Sequence, residues 1–151
     1  MREILFRGKD LDGEWQEGSV VFPNHELPNN AGLFMEGNAF ICTDLHGVIS
    51  ENHDLKNYSL SNFLLVMPST VGQYTGYCDK NGKKVYEGDI CLCDRNIGWL
   101  VDRQRFVIKF SEEIGAWIGA TLISEIDASQ FELCEVIGNI YDNPELLEVD
   151  V

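Results

Sequence analysis

The sequence predicts a mainly β fold, and three observations carry that expectation. Short runs rich in Val, Ile, Phe, Tyr and Trp recur along the chain with turn-forming residues between them, a pattern of strands rather than helices. Two gaps hold Asp12-Gly13 and Asn81-Gly82, steps that suit a tight hairpin because its two central positions need positive φ. No segment carries an apolar 3.6-residue period long enough for a major helix.

Taken in order, Glu3 to Arg7 is an apolar run between charges, followed by Asp12-Gly13 and the imperfect alternation of Trp15 to Phe22. Residues 1 to 22 therefore read as a hairpin. From Pro23 to Asn38 the density of Pro, Asn and Gly predicts a loop excursion. Residues 39 to 43 and 47 to 50 read as two short strands about a turn at 44 to 46. Residues 51 to 62 are polar, and the apolar run from Phe63 to Met67, stopped by Pro68, is too short to type by periodicity. A boundary near residue 70 separates a β-rich N-terminal region with its loop excursion (1–70) from a C-terminal domain (71–151).

The second half has the denser pattern. Asn81-Gly82 turns a hairpin, Gly88-Asp89 turns into a strand at 90 to 94, and residues 105 to 110 and 116 to 122 form a strand pair about a turn at 112 to 115. Short strands at this spacing predict a small barrel. Residues 124 to 131 have room for one short helix. The run from Glu132 to Tyr141 reads as a last strand, and Asn143-Pro144 reads as the cap and first residue of one helical turn before Glu145-Leu146-Leu147.

Charge narrows the function classes. The chain has 11 Lys and Arg against 25 Asp and Glu, a formal charge of −14. Non-specific nucleic-acid affinity comes from cations displacing counterions around phosphate, so nucleic acid is a poor partner for the molecule as a whole. A local patch of Arg95, Arg103, Arg105 and Lys109, with Trp99 and Phe106 as stacking partners, is the alternative. Arg103 and Arg105 would share a strand face. A further alternative makes the acidity itself functional: clusters such as Glu112, Glu113, Glu125 and Asp127 would imitate DNA toward a host nucleic-acid-binding protein. The longest apolar run, residues 63 to 67, is far below the length of a membrane span. The N-terminus lacks an apolar stretch and cleavage site of the secretory kind, which places the chain in the cytoplasm.

Five cysteines, Cys42, Cys78, Cys91, Cys93 and Cys134, are an odd number without a signal peptide, which favours free thiols. Cys91 and Cys93 would share one strand face. Zinc would need further ligands from Cys78, Cys134, His25, His46 or His53, and no second closely spaced pair fixes its geometry. Buried apolar-like cysteines and loop histidines are the simpler expectation, so no metal site is assigned.

Hydrolase-elbow, phosphate-loop, dinucleotide and zinc-protease motifs are absent from the sequence. Asp10-Leu11-Asp12-Gly13-Glu14 resembles only the start of a calcium loop, without its length or closing Glu. A hairpin turn explains it better. Glu87 with Asp89, and Glu112 with Glu113, are candidate acid/base pairs, but solvated turns account for them. Asn57-Tyr58-Ser59 fits the glycosylation triplet, which a cytoplasmic protein does not use. No catalytic, cofactor-binding or metal residue is assigned, and the binding residues are unassigned.

The stretch from Gln73 to Ile90, with Gly76-Tyr77-Cys78-Asp79-Lys80-Asn81-Gly82-Lys83 at its centre, resembles the signature of the YopX-like proteins of bacteriophages and prophages. Arg2 to Gly8 resembles that family's N-terminus, and Glu135 to Leu147 its C-terminal motif. The resemblance implies an SH3-like β-barrel in the C-terminal part and supplies no catalytic residues. The motif itself reads structurally, with Tyr74, Tyr77 and Tyr86 lining or capping the core. The expected function is that of a non-enzymatic phage or prophage accessory protein that binds a host or phage protein or self-assembles, as exposed strand edges invite homo-oligomers.

Overall fold

The computed structural model describes residues 4–22, 37–43, 63–97 and 100–148. The chain divides into two compact units, Ile4–Gly72 and Gln73–Val151, and strand pairing within each is antiparallel. Expected features at residues 23–36, at the 44–46 turn, at the 47–50 strand and at Asn57-Tyr58-Ser59 lie outside the described residues.

In the first unit, β1 (Phe6–Lys9), β2 (Trp15–Val21), β3 (Ala39–Cys42) and β4 (Phe63–Val66) form a meander in the order β4-β3-β2-β1. The run at 63 to 67 is thus a strand, typed by its partner β3 rather than by its own periodicity. β3 is buried at every position, which explains its lack of alternation. Ala39, Ile41 and Val66 make the core, with Phe6, Val20 and Val71 packed on it. The sheet curls until its outer strands meet, Asp10 bridging Val66 and Met67 N donating to Lys9 O at 2.7 Å. A 3-10 turn, Pro68–Thr70, follows; Thr70 Oγ1 accepts from Lys9 N at 2.9 Å and donates to Met67 O at 2.7 Å.

β2 carries Gly18 because β3 crosses it too closely for a side chain. A Cβ there would collide with the Cys42 carbonyl oxygen, a backbone atom that cannot swing aside. Gly18→Ala should cost about 2 kcal/mol of stability, as overpacking does, read as a lower urea midpoint. An unchanged midpoint would contradict this close approach.

In the second unit, β5 (Gly72–Cys78) and β6 (Lys84–Tyr86) form a hairpin. A five-stranded sheet combines β7 (Asp89–Ile97), β8 (Leu100–Ser111), β9 (Ala116–Ala120), β10 (Glu125–Asp127) and β11 (Glu135–Asn139) in the order β10-β9-β8-β7-β11. The β7–β8 hairpin is longer than its apolar runs predict. Along its extension Asp94 stands in register with Arg103 and pairs with it, and such a cross-strand pair supports a ladder beyond its apolar runs. Among the described residues the ladder does not close into a barrel, since β10 and β11 stand at its two ends.

The core of this unit gathers Val85, Cys91, Phe106, Ile108, Trp117, Ile126, Phe131 and Val136. The short helix expected at 124 to 131 is half strand and half 3-10 turn: β10 gives way to Ala128–Leu133, whose N-cap Asp127 accepts from the Ser129 amide and hydroxyl. The C-terminal turn forms as expected, Pro144–Leu147 with Asn143 at its N-cap and Pro144 at its start, but the Asn143 side chain caps none of its amides. Its Oδ1 instead accepts from Asn139 N at 3.4 Å, beneath Gly138, where an added Cβ would lie 2.5 Å from that oxygen.

The free-thiol expectation is corrected for one pair: Cys93 and Cys134 form a disulfide, with Cα atoms 4.4 Å apart across a separation of 41 residues. Only the tertiary approach of the Ala128–Leu133 turn to β7 makes that pairing visible. Cys78 and Cys91 are free thiols, and Cys42 is buried on β3 outside that bond.

Candidate functional site

The two Asp-x-[Asp/Asn]-Gly segments build the same turn in the two units. In each, a three-residue loop ends on a glycine in the left-handed region, Gly13 at φ +87° and Gly82 at φ +80°, a type I turn followed by a glycine bulge. This replaces the expected two-residue turn. The Asp two residues ahead of the Asp or Asn organises each loop. Asp10 Oδ1 accepts from Asp12 N and Glu14 N at 3.0 and 2.9 Å; Asp79 Oδ1 accepts from Asn81 N and Lys83 N at 2.8 and 2.9 Å. The apparent calcium-loop start at Asp10 is therefore a turn whose carboxylate is already satisfied by its own backbone.

Asp79 also reaches outward. Its Oδ2 accepts from Val136 N at 3.0 Å, while Lys80 N donates to Cys134 O at 2.9 Å and Lys80 Nζ pairs with Glu135 at 2.7 Å. The hairpin tip is thereby stitched to β11. Burial opposes charge on Asp79, but the amides of Val136, Lys83 and Asn81, together with the Lys83 charge, outweigh it and hold the carboxyl below its usual range. Asp89, 1% exposed, plays a parallel part by accepting from Tyr86 N at 2.8 Å. Gly88, at φ +81°, donates to Ile108 O and accepts from Ile140 N, both at 2.9 Å. The Glu87/Asp89 pair is thus turn structure.

Tyr74 and Tyr86 are buried and face each other at 5.6 Å, as expected of core tyrosines. Tyr77 caps the core rather than lining it. It is 37% exposed, packs edge-on against Phe131 at 5.9 Å, and lines a groove with a cavity volume of about 560 Å³. Phe110 and Trp117, paired across β8 and β9, meet edge to face at 5.2 Å and form the groove's other aromatic wall, with small and polar residues such as Thr75, Gly115 and Ala128 between them. Phe110 lies on the same side of β8 as the buried Phe106 and Ile108, yet is 44% exposed. The groove is the open end of the core. Only one of its walls could be read from the sequence: Phe110 and Trp117 flank the 112 to 115 turn symmetrically, so the hairpin register sets them opposite each other.

The other candidate residues divide as follows. Cys91 and Cys93 do share the buried face of β7, but Cys93 is bonded to Cys134, and burial with the nearby Asp89 and Asp79 charges pushes the Cys91 thiol up to about 12, far from a metal-ready thiolate. Cys78 lies 3.6 Å from Tyr74 Oη. His25, His46, His53 and Trp99 lie outside the described residues, and among the described residues no three His, Cys, Asp or Glu side chains converge. The basic patch does not assemble as read. Arg103 and Arg105 share the exposed face of β8, yet Arg103 pairs with Asp94 at 2.8 Å and Arg105 donates to Leu146 O at 3.1 Å. Lys109 is exposed, and Arg95 is placed only by its β7 register. Phe106 is fully buried and unavailable for stacking. Glu112 and Glu113 are exposed in the β8–β9 turn, and Glu125 and Asp127 occupy the two exposed positions of β10. No helix among the described residues is long and apolar enough to cross a membrane.

These features define an acidic, almost wholly β protein of two antiparallel units, the second opening into an aromatic groove. The chain belongs to the YopX protein family, whose model matches residues 34–148. The crystal structure of protein EF1440 from Enterococcus faecalis is similar to it with a TM-score of 0.55 at 24% identity, over 98% of this chain and 100% of that one, a likeness of fold alone. No curated protein matches the chain by sequence.

Proposed function

We propose that this protein is a non-enzymatic protein-binding module, a phage or prophage accessory protein whose SH3-like C-terminal unit takes a polypeptide segment in its aromatic groove. The observation that supports this reading is the groove itself: Tyr77 and Phe110 keep more than a third of their surfaces exposed beside the half-closed core. Aromatic side chains left open in a concavity supply binding energy at low entropic cost and are enriched among residues that dominate interfaces.

A library of random displayed peptides, selected on the immobilised protein and counter-selected on Tyr77→Ala/Phe110→Ala, tests the reading. Enriched peptides should bind the wild type about tenfold to a hundredfold tighter than the double variant, the loss expected from truncating two interface aromatics. Because both side chains are partly exposed, the variant should stay folded by circular dichroism. No enrichment, or enrichment indifferent to the two truncations, would overturn the proposal.

A further inference from the structure

The groove's surroundings carry charge of one sign. Phe110 to Leu133, which contributes five of the nine lining residues, holds five carboxylates and neither lysine nor arginine. Glu112 and Glu113 stand exposed in the turn that runs into the lining residues Gly115 and Ala116, and Asp127 immediately precedes the lining residue Ala128. Hydrogen bonds from the Ser129 hydroxyl and amide hold the Asp127 carboxyl below its usual range, so it is charged at neutral pH. Five of the unit's seven cations are turned elsewhere: Lys80 to Glu135, Arg103 to Asp94, Arg105 to the Leu146 carbonyl, Lys84 over the Tyr74 ring, and Lys109 on the opposite face of β8.

We infer that the groove binds a basic segment of a protein partner, one carrying arginine or lysine beside apolar residues. The aromatic walls offer π faces to a cation, and the carboxylates at the rim supply the complementary field. The protein already uses the first of these contacts internally, with Arg7 4.5 Å above the Trp15 ring and Lys84 5.7 Å from the Tyr74 centroid. Phosphate-bearing ligands are disfavoured by the same rim. This inference rests on the groove being a peptide-binding surface and adds the charge of what it binds.

The test uses three acetylated octapeptides with the same four leucines and either four arginines, four glutamines or four glutamates, titrated into the full-length protein while the amide signals of Gly76 and Gly115 are followed by NMR. The arginine peptide should shift both signals and bind at least about tenfold tighter than the glutamine peptide. Its advantage should shrink about threefold or more from low to high salt and in Glu112→Gln/Glu113→Gln, which alters two exposed side chains. Shifts at Gly76 and Gly115 that are equal for arginine and glutamine, or larger for glutamate, would overturn the basic preference and leave the binding reading standing. Arginine-dependent shifts confined to other residues would overturn the groove as the site of the preference. No shift at either glycine from any peptide at millimolar concentration would count against both.

Discussion

Asp79→Ala should lower the unfolding free energy by about 3 kcal/mol. The substitution removes the acceptor of three backbone amides, two in the hairpin loop and one, Val136 N, buried on β11. Loop amides regain water, but the Val136 amide does not, and an unsatisfied buried donor costs about 1–3 kcal/mol by itself. Asp79→Asn should fall between, because one carbonyl oxygen still serves the loop while the amide group faces the Val136 donor. The pH dependence has a definite sign. A carboxyl held below its unfolded value favours the folded chain when ionised, so its contribution is present above about pH 4 and is lost as pH falls through the depressed folded value. Wild-type stability should therefore decline below pH 4 more steeply than that of Asp79→Asn. Urea midpoints measured from pH 7 to pH 2.5 check both statements; parallel curves for the two proteins would contradict the role given to Asp79.

Reduction of the Cys93–Cys134 bond, or Cys93→Ala with Cys134→Ala, should cost about 4 kcal/mol, the loop-entropy value for a closure of 41 residues. That bond ties the turn that carries Phe131, and with it the edge contact that positions Tyr77, to β7. Both half-cystines are buried, at 5% and 0% exposure, which slows attack by an external thiolate. The neighbouring Cys91 stays protonated and is a poor nucleophile for exchange. A thermal melt with and without dithiothreitol reads the effect, and a linked Cys93–Cys134 peptide in a non-reducing digest identifies the bond. A melting temperature indifferent to reduction would contradict the structural role of the disulfide.

Much of the fold was legible because it is local. Hairpins announce themselves by a glycine between two apolar runs, so β1–β2, β5–β6 and β8–β9 could be placed from Gly13, Gly82 and Gly115. The strand period put Cys91 and Cys93 on one face. What escaped was long-range. β7 and β8 extend through charged residues because each has the other as partner, and the chain near Asp94 gives no sign of Arg103 opposite. The carboxylate of Asp79 meets an amide 57 residues away, and Cys93 meets its partner across 41. The Tyr77 side chain looked like Tyr74 and Tyr86 because all three lie in one signature; only the β5 register against β6 sorts the buried pair from the exposed ring. The aromatic groove failed to appear for the same reason, since Tyr77 and Phe110 converge only once the hairpins pack.

The most direct test of the groove is photo-crosslinking in cells expressing the protein with benzoylphenylalanine placed at Phe110 or at Leu122, the latter 99% exposed on the turn at the far end of β9. The account predicts a discrete crosslinked protein from position 110, lost when Tyr77 is changed to Ala, and none from position 122. Equal crosslinking from both positions, or none from 110, would contradict it.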